Sequence, residues 1–213
     1  MYLPPHFEEI RAAEIAAVVE TAPLACIVAQ TNEGLIANHI PLLAAPDDKL
    51  IGHVALANDI HRLLPNGHEV LAIFRGDDAY VSPNFYPTKP EHHRHVPTWN
   101  YQVVHVYGMI EFQHDDRAKR AAVGRLTKDH EHRLNGENAW RMADAPPDFM
   151  QQMLDGIVAF EISITRTLAK SKLSQNREDR DYLGAIDGLR ATGHNRLAER
   201  MADRLPQSSP KSV

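Results

Sequence analysis

The sequence predicts an α+β fold in which a Greek-key barrel of short strands is decorated with helices. About seven apolar runs rich in β-branched residues lie in adjacent pairs, joined by turns that contain glycine or aspartate. The strand–helix alternation that is typical of a parallel sheet does not occur. The 213 residues, 43% of them hydrophobic, are enough for one substantial core.

The individual elements follow from hydrophobic periodicity and from turn signals. The predicted helices cover 6–20, 59–64, 115–133, 146–154, 177–189 and 195–204. The predicted strands cover 23–30, 35–44, 50–56, 69–74, 79–82, 99–113 and 157–165. A turn at 76–78 and a long loop at 83–95 complete the pattern, and the loop length favours a functional role.

Composition excludes several classes of protein. The net charge of −5 gives no overall basic field for nucleic acid. No apolar run approaches the length of a membrane span, so we expect no membrane partner. The single cysteine, Cys26, lies in an apolar run and cannot form an internal disulfide, which favours a reducing cytoplasm.

Residues 96–108 form the most informative stretch, because a polar and aromatic cluster opens a long strand. Trp99 provides a flat apolar face, and Thr98 and Asn100 provide hydrogen-bonding groups that a planar heteroaromatic ligand would need. The alternative is a buried strand whose tryptophan belongs to the core and whose asparagine bonds a loop carbonyl.

Two further segments carry candidate ligand groups. His39-Ile40-Pro41-Leu42 places a histidine and a proline in one strand, which indicates an edge or a bulge. Gly52–Asn58 runs from a strand into a short helix, where free N–H groups could bind an anion. Surface exposure of His39 and ordinary capping by Asn58 are the alternatives.

A polar segment near the C-terminus, 172–177, contains the cations Lys172 and Arg177 and the amide Gln175. It could close over an anionic ligand or bridge to a second subunit, and simple helix capping is the alternative. The imidazoles of His92, His93 and His95 could bind a metal, but no cysteine or carboxylate completes such a site, so we predict none.

Motifs of self-contained hydrolases are not found, including the Gly-x-Ser-x-Gly elbow and the His-Glu-x-x-His zinc motif. Whether the protein is an enzyme is therefore left undecided at this point. If it performs chemistry, an organic cofactor carries the reaction.

Taken together, these segments resemble the PaiB-type FMN-binding negative transcriptional regulators. The matching blocks are Met1–Phe7, His39–Leu43, Gly52–Asn58, Tyr80–Pro83, Val96–Gly108 and Lys172–Arg177, in the family's order and spacing. The resemblance implies an FMN-binding split β-barrel, similar to pyridoxamine-phosphate oxidase, that forms a homodimer with flavin in a cleft between subunits. It also implies repression of genes, through DNA or another regulatory protein.

The resemblance further implies an assignment of residues and domains. FMN would be bound by His39, Ile40, Pro41, Leu42, His53, Val54, Ala55, Asn58, Thr98, Trp99, Asn100, Lys172 and Gln175. The Arg/Lys pair that is typical of the oxidase's phosphate site is missing, and His39, His53 and Lys172 are the nearest substitutes. We expect a barrel domain over 1–170, a helical extension over 171–205 and a flexible tail over 206–213.

Two other functions are compatible with the sequence. The protein could be an FMN- or haem-dependent oxidoreductase of a small molecule that does not bind DNA, with His53, His105 or Tyr101 as proton donors. It could also be a binding or structural protein whose cleft is vacant or holds another anionic small molecule.

Overall fold

The computed structural model describes residues 1–205, so the expected tail over 206–213 lies outside the described residues. Its seven strands form one open sheet in the order β2-β1-β5-β6-β7-β4-β3. They are β1 (Leu24–Thr31), β2 (Gly34–Pro41), β3 (Leu43–Ala45), β4 (Lys49–Ala55), β5 (His68–Val81), β6 (Thr98–Gln113) and β7 (Ile157–Lys172). The registered strand pairs are antiparallel, which confirms the predicted α+β class.

The α-helices lie between strands and at the C-terminus. They are α1 (Ala12–Thr21), α2 (Ile60–Leu63), α3 (Lys89–His92), α4 (Asp116–Asn135), α5 (Pro147–Asp155), α6 (Asp179–Ala191) and α7 (Asn195–Ala202). Within residues 1–205, no helix is both long enough and apolar enough to cross a membrane.

The chain divides into two compact units. Unit 1 consists of Met1–Arg11, Arg75–Val103 and the chain from Ala169 onward, and unit 2 consists of Ala12–Phe74 and Val104–Leu168. The long strands β5, β6 and β7 each contribute residues to both units. The domain boundary expected at residue 170 stays a prediction.

Unit 2 contains most of the sheet and its core. Strand β1 alternates buried and more exposed positions, as a strand with one face on a core does. Gly52 is required by close packing, because a Cβ atom there would lie 2.5 Å from the ring of Phe160 and 2.9 Å from Leu42. The sheet face around Gly52 is therefore tightly filled.

Unit 1 has its own hydrophobic cluster, in which the end of β5 packs with α6 and α7. Its buried members are Ala79, Val81, Tyr86, Leu173, Tyr182, Ala185, Ile186, Leu189, Leu197, Ala198 and Met201. Phe85 packs against α6 where two glycines leave space, since a Cβ atom on Gly188 would lie 2.2 Å from the Phe85 ring. The segment predicted as the loop 83–95 is thereby fixed to α6, and it contains α3.

The predicted turn at 76–78 is wrong, because β5 runs through it without interruption. Asp77 accepts a hydrogen bond from Arg196 at 2.6 Å, and Asp78 pairs with Arg75. The carboxylates that suggested a turn are thus neutralised in an extended strand, and sheet pairing overrides the local turn preference of Gly76.

Three other element boundaries differ from the prediction. The first helix begins at Ala12 rather than at residue 6, because the N–H of Glu9 bonds to the Ala169 carbonyl oxygen. The predicted strand 35–44 is divided at Leu42, whose N–H bonds to the Pro23 carbonyl oxygen. Strand β7 continues seven residues past 165, to Lys172, and its residues 165–167 are exposed.

Two helical glycines should respond to alanine in opposite directions. Gly188→Ala forces a methyl group into the Phe85 ring and should lower the free energy of unfolding by about 1–3 kcal/mol. In Gly124→Ala, the new Cβ atom in α4 would meet only Met142 Sδ, at 3.5 Å. This change should therefore raise the free energy of unfolding by about 0.5–1 kcal/mol. Urea denaturation followed by circular dichroism measures both, and equal effects would contradict this packing.

The stability of unit 1 should depend on pH through Glu9. Although burial by itself raises the pKa of Glu9, hydrogen bonds from Arg11 and the charge of Arg204 lower this pKa to about 2, from the usual 4.5. The ionised carboxylate therefore stabilises the fold above pH 4.5, and this contribution is lost as the pH falls toward 2. The difference in unfolding free energy between wild type and Glu9→Gln should shrink between pH 5 and pH 3.

The exposed Glu33, in the turn between β1 and β2, offers a matched control as Glu33→Gln. A difference between wild type and Glu9→Gln that stays constant from pH 6 to pH 3 would contradict the role of Glu9.

Candidate functional site

A group of cations lies where β7 ends in unit 1. Lys170 and Lys172 are two residues apart on a strand, so their side chains share one face. The Lys172 ammonium group donates to Thr98 Oγ1 at 2.5 Å and to the Trp99 carbonyl oxygen. The Lys170 ammonium group donates to the Tyr2 carbonyl oxygen at 3.1 Å. Backbone and hydroxyl oxygens thus hold both lysines in place.

Aromatic rings surround the two ammonium groups. Lys170 Nζ lies 5.4 Å from the ring centroids of both Tyr2 and Tyr101. Lys172 Nζ lies 5.8 Å from the ring centroid of Phe7. Cation–π attraction partly replaces the water that the lysines lose, but it supplies no negative charge.

The two lysines form no ion pair with any carboxylate among residues 1–205. Burial lowers the pKa of Lys172, and the positive charges of Lys170 and Arg177 lower it further. We call Lys170, Lys172 and Arg177 the cation cluster. Partly desolvated cations that repel one another bind an anion favourably, because the anion removes the repulsion.

The faces of β6 and β7 that lie opposite Lys170 and Lys172 carry buried polar side chains. Asn100 is 0% exposed, and its amide nitrogen donates to Ser174 Oγ at 2.9 Å while its oxygen accepts from the same hydroxyl. Gln102 donates to Ser171 Oγ at 3.0 Å. Among the predicted residues of unit 1, Thr98, Trp99 and Lys172 therefore lie together, and the Asn100 side chain points into the core.

Gln175 shapes the turn that follows β7. Its side-chain oxygen accepts from the N–H of Leu173 at 2.6 Å, and its nitrogen donates to the Ser171 carbonyl oxygen at 2.5 Å. Ser174 within this turn has a φ of 65°, which is uncommon for a residue other than glycine. Gln175 thus holds Lys172 and Arg177 on the two sides of a fixed turn.

A buried carboxylate positions Arg177. Asp181 of α6 is 1% exposed and accepts hydrogen bonds from the Thr88 hydroxyl at 2.8 Å and 2.9 Å. His95 Nε2 lies 3.3 Å from Asp181, and Arg177 lies 3.5 Å from His95 Nδ1 and 4.9 Å from the Tyr86 ring centroid. The segment 83–95 is thereby held against α6 and limits where the Arg177 guanidinium can lie.

The histidine-rich part of this segment does not build a metal site. Among residues 1–205, no group of three His, Cys, Asp or Glu side chains has the arrangement of metal ligands. His95 is instead packed against Tyr86 and His92, with ring centroids 4.8 Å away in each case.

The predicted residues of β2 and the residue after it, all in unit 2, differ in exposure. His39 and Pro41 are exposed, whereas Ile40 and Leu42 are 4% and 1% exposed. His39 can therefore meet a ligand with its side chain, while Ile40 and Leu42 contribute to the core beneath it.

The second predicted segment of unit 2, Gly52–Asn58, contains a buried polar atom that has no hydrogen-bond partner in the described chain. His53 of β4 is half-buried, burial lowers its pKa, and its Nδ1 atom has no hydrogen-bond partner in the described chain. Val54 is buried and Ala55 is exposed. A neutral imidazole at this position can accept or donate a hydrogen bond but adds no charge at pH 7.

Both polar atoms of the Asn58 side chain already have a partner in the described chain. Its side-chain oxygen accepts from the N–H of Ile60 at 3.0 Å, and its nitrogen donates to Asn38 Oδ1 at 2.9 Å. Helix α2 has only four residues, so it provides little aligned backbone for an anion. The anion-binding helix start expected in this segment is thus reduced to a single turn.

Several residues of these sites were missed by the sequence analysis. Lys170 lies beside Lys172, and the i, i+2 spacing of the two lysines was the signal that could have identified Lys170. Tyr101, which the sequence offered only as a proton donor, lies with its ring centroid 5.4 Å from Lys170 Nζ. Asp181, Thr88 and Asn38 gave no local signal, because their partners are 93 and 20 residues away in sequence.

The residues of unit 1 fit the phosphate group of FMN better than those of unit 2 do. A phosphate requires positively charged donors, and the cation cluster supplies two lysines and one arginine with no acidic partner for the lysines in the described chain. Trp99 and Tyr101 add aromatic surface beside it. The predicted residues of unit 2 include the imidazoles of His39 and His53 but no lysine or arginine.

Comparison with known proteins identifies the family of the chain. Residues 1–166 match the family described as "Putative FMN-binding domain". The chain is 33% identical to the "Protease synthase and sporulation protein PAI 2" of Bacillus subtilis, over 100% of both chains. It is 32% identical to an uncharacterised protein of Aspergillus fumigatus, over 76% of this chain and 67% of that one.

Two solved structures show a similar fold. The FAD and haem binding protein of Mycobacterium smegmatis has a TM-score of 0.58 and 17% identity, over 84% of this chain and 79% of that one. The flavocytochrome Anf3 of Azotobacter vinelandii has a TM-score of 0.57 and 14% identity, over 83% and 75%. The likeness confirms the predicted split-barrel fold. The chain therefore belongs to this FMN-binding family, is of the PaiB type, and has FMN as its cofactor.

Proposed function

We propose that this protein is a cytoplasmic, FMN-binding homodimer that acts as a negative regulator of transcription. The cation cluster of unit 1 is the observation that carries the flavin part of the proposal. The regulatory part is supported by full-length similarity to a Bacillus subtilis protein that is named for protease synthesis and sporulation.

In this proposal, Lys172 binds the FMN phosphate directly. Its ammonium group is half-buried, is oriented by Thr98 and by the Trp99 carbonyl oxygen, and has a lowered pKa because of burial and the nearby cations. A phosphate dianion beside it offsets that repulsion and raises the pKa again. Lys170 and Arg177 add positive charge at the same place.

Trp99 provides the neighbouring apolar surface for the flavin. The indole is 53% exposed even though it lies on a central strand, and its edge meets Tyr80 at a centroid distance of 6.0 Å. An exposed aromatic side chain beside fixed cations suits a planar ring that carries a phosphate. When bound, FMN supplies electron or hydride transfer, and the protein positions it.

The remaining predicted contacts stay part of the proposal. In unit 2, His39, His53 and Asn58 offer hydrogen-bonding groups, and Ile40, Pro41, Leu42, Val54 and Ala55 shape the surface around them. In unit 1, Asn100 and Gln175 support the fold of the site from behind. Regulation then runs through DNA or through another regulatory protein that senses the flavin-bound form.

A second candidate is an FMN-dependent oxidoreductase of a small molecule, with or without haem. The observation that favours it is His53, a half-buried imidazole with an unpaired Nδ1 atom and a lowered pKa. Such an imidazole is neutral at pH 7 and can accept a proton.

Replacing Lys172 tests the flavin site. Lys172→Gln keeps a hydrogen-bonding side chain but removes the charge, and it should weaken FMN binding about tenfold or more, since a charged hydrogen bond contributes about 1.5–3 kcal/mol. The measurement is quenching of FMN fluorescence during titration of the apo-protein. Lys89→Gln, at an exposed lysine of α3, is the matched control and should bind FMN like the wild type.

Two outcomes would count against this site. Saturable FMN binding that is equally strong in Lys172→Gln and in the wild type would show that the phosphate binds at another site. No FMN binding by the wild type would contradict FMN as a retained cofactor. Sedimentation velocity on the same samples should give twice the mass of one chain for the homodimer.

Gene deletion separates the regulator from the oxidoreductase. If the protein represses transcription, deletion should raise a defined set of transcripts, and the wild-type gene should restore their level while the Lys172→Gln gene should not. RNA sequencing gives this readout. An unchanged transcriptome, together with rapid NAD(P)H-dependent bleaching of the bound flavin, would contradict the regulator and support the oxidoreductase.

A further inference from the structure

Unit 2 contains a surface pocket that the flavin proposal does not use. It lies between α4 and the segment 136–142 and has a volume of about 510 Å³, which is within the usual range of pockets for small molecules. None of its lining residues is among the thirteen predicted to bind FMN. We call it the α4 pocket.

Specific hydrogen bonds hold the wall of the α4 pocket in place. Glu131 of α4 accepts from the backbone N–H of Trp140 at 3.0 Å and from Asn135 Nδ2 at 2.8 Å. These two hydrogen bonds lower the pKa of Glu131, so the carboxylate stays ionised at neutral pH. The indole of Trp140 is therefore carried by a tethered backbone rather than by a free loop.

The floor of the α4 pocket is open because of a glycine. Gly124 lies in the middle of α4, where glycine costs about 0.5–1 kcal/mol relative to alanine. A Cβ atom there would meet only Met142 Sδ, at 3.5 Å, so backbone packing does not require glycine. The missing side chain leaves room between α4, Met142 and Trp140, and these last two side chains suit a flat aromatic ring.

The rim of the α4 pocket is mainly basic. Lys128, His132 and Arg141 line it, against a single carboxylate from Glu137. Neither Lys128 nor Arg141 forms a salt bridge with another residue of the described chain. An entering ligand therefore meets Trp140 and Met142 together with two cations that have no salt bridge in the described chain, in a protein whose net charge is −5.

We propose that the α4 pocket binds a small planar aromatic anion, with the ring between Trp140 and Met142 and the anionic group against Lys128 and Arg141. The chemical class is an aromatic ring that carries a carboxylate or a sulfonate. The site is separate from the flavin site, and the proposal does not depend on transcriptional regulation.

The test uses 8-anilinonaphthalene-1-sulfonate, an aromatic sulfonate, as the probe. Calorimetric titration into the full chain saturated with FMN measures its affinity. The double variant Lys128→Glu/Arg141→Glu should bind the probe at least tenfold more weakly. Arg117→Glu reverses one charge on the exposed side of α4 outside the pocket, which is half the charge change of the double variant, and it should stay within twofold of the wild type.

Two further arms separate shape from charge. Gly124→Leu fills the floor and should abolish binding, while circular dichroism checks that α4 is intact. The neutral probe N-phenyl-1-naphthylamine should bind the double variant as it binds the wild type. Equal losses of probe affinity in Arg117→Glu and in the double variant would show nonspecific charge attraction. Unchanged binding by a folded Gly124→Leu variant would place the probe elsewhere. Either result overturns the proposal.

Discussion

The electrostatics of Lys170 and Lys172 set the central constraint on unit 1. Two lysines on one strand face are held beside Arg177 with no carboxylate partner among residues 1–205. Glu9 is the buried acid whose backbone pairs with the adjacent Ala169, but its carboxylate is already bound to Arg11 and Arg204. The positive charge is therefore left for a ligand, and an anion that binds there relieves a repulsion built into the fold.

The rest of unit 1 keeps this charge in place. The buried hydrogen bonds of Asn100 with Ser174, and of Gln102 with Ser171, fix β6 and β7 from behind. Asp181 and Thr88 hold the segment that contacts Arg177. Preorganised cations need little rearrangement when an anion binds, so more of the interaction energy is available for affinity. Within unit 2, burial lowers the pKa of His53, and the sheet around Gly52 is closely packed, so this unit by itself suits a phosphate less well.

Local pattern was enough to predict the α+β class, most helices and the pairing of β1 with β2, because these depend on periodicity and turns. It failed at Gly76, where distant Arg196 neutralises Asp77 in an extended strand, and at Glu9, whose backbone pairs with the end of β7. The resemblance pointed to Trp99 and Lys172, but Lys170 was missed because β7 was predicted to end at 165. Side-chain partners far apart in sequence, such as Asp181 and Thr88, leave no local signal.

Comparing FMN with riboflavin tests the central claim most directly, because the two ligands differ only in the phosphate. Titration of the apo-protein with each flavin, at the same pH and salt concentration, gives the ratio of their dissociation constants. If the cation cluster binds the phosphate, FMN should bind at least about tenfold more tightly than riboflavin, and high salt should reduce the ratio. Equal affinities for FMN and riboflavin would contradict the account, since the cations would then have no part in flavin binding.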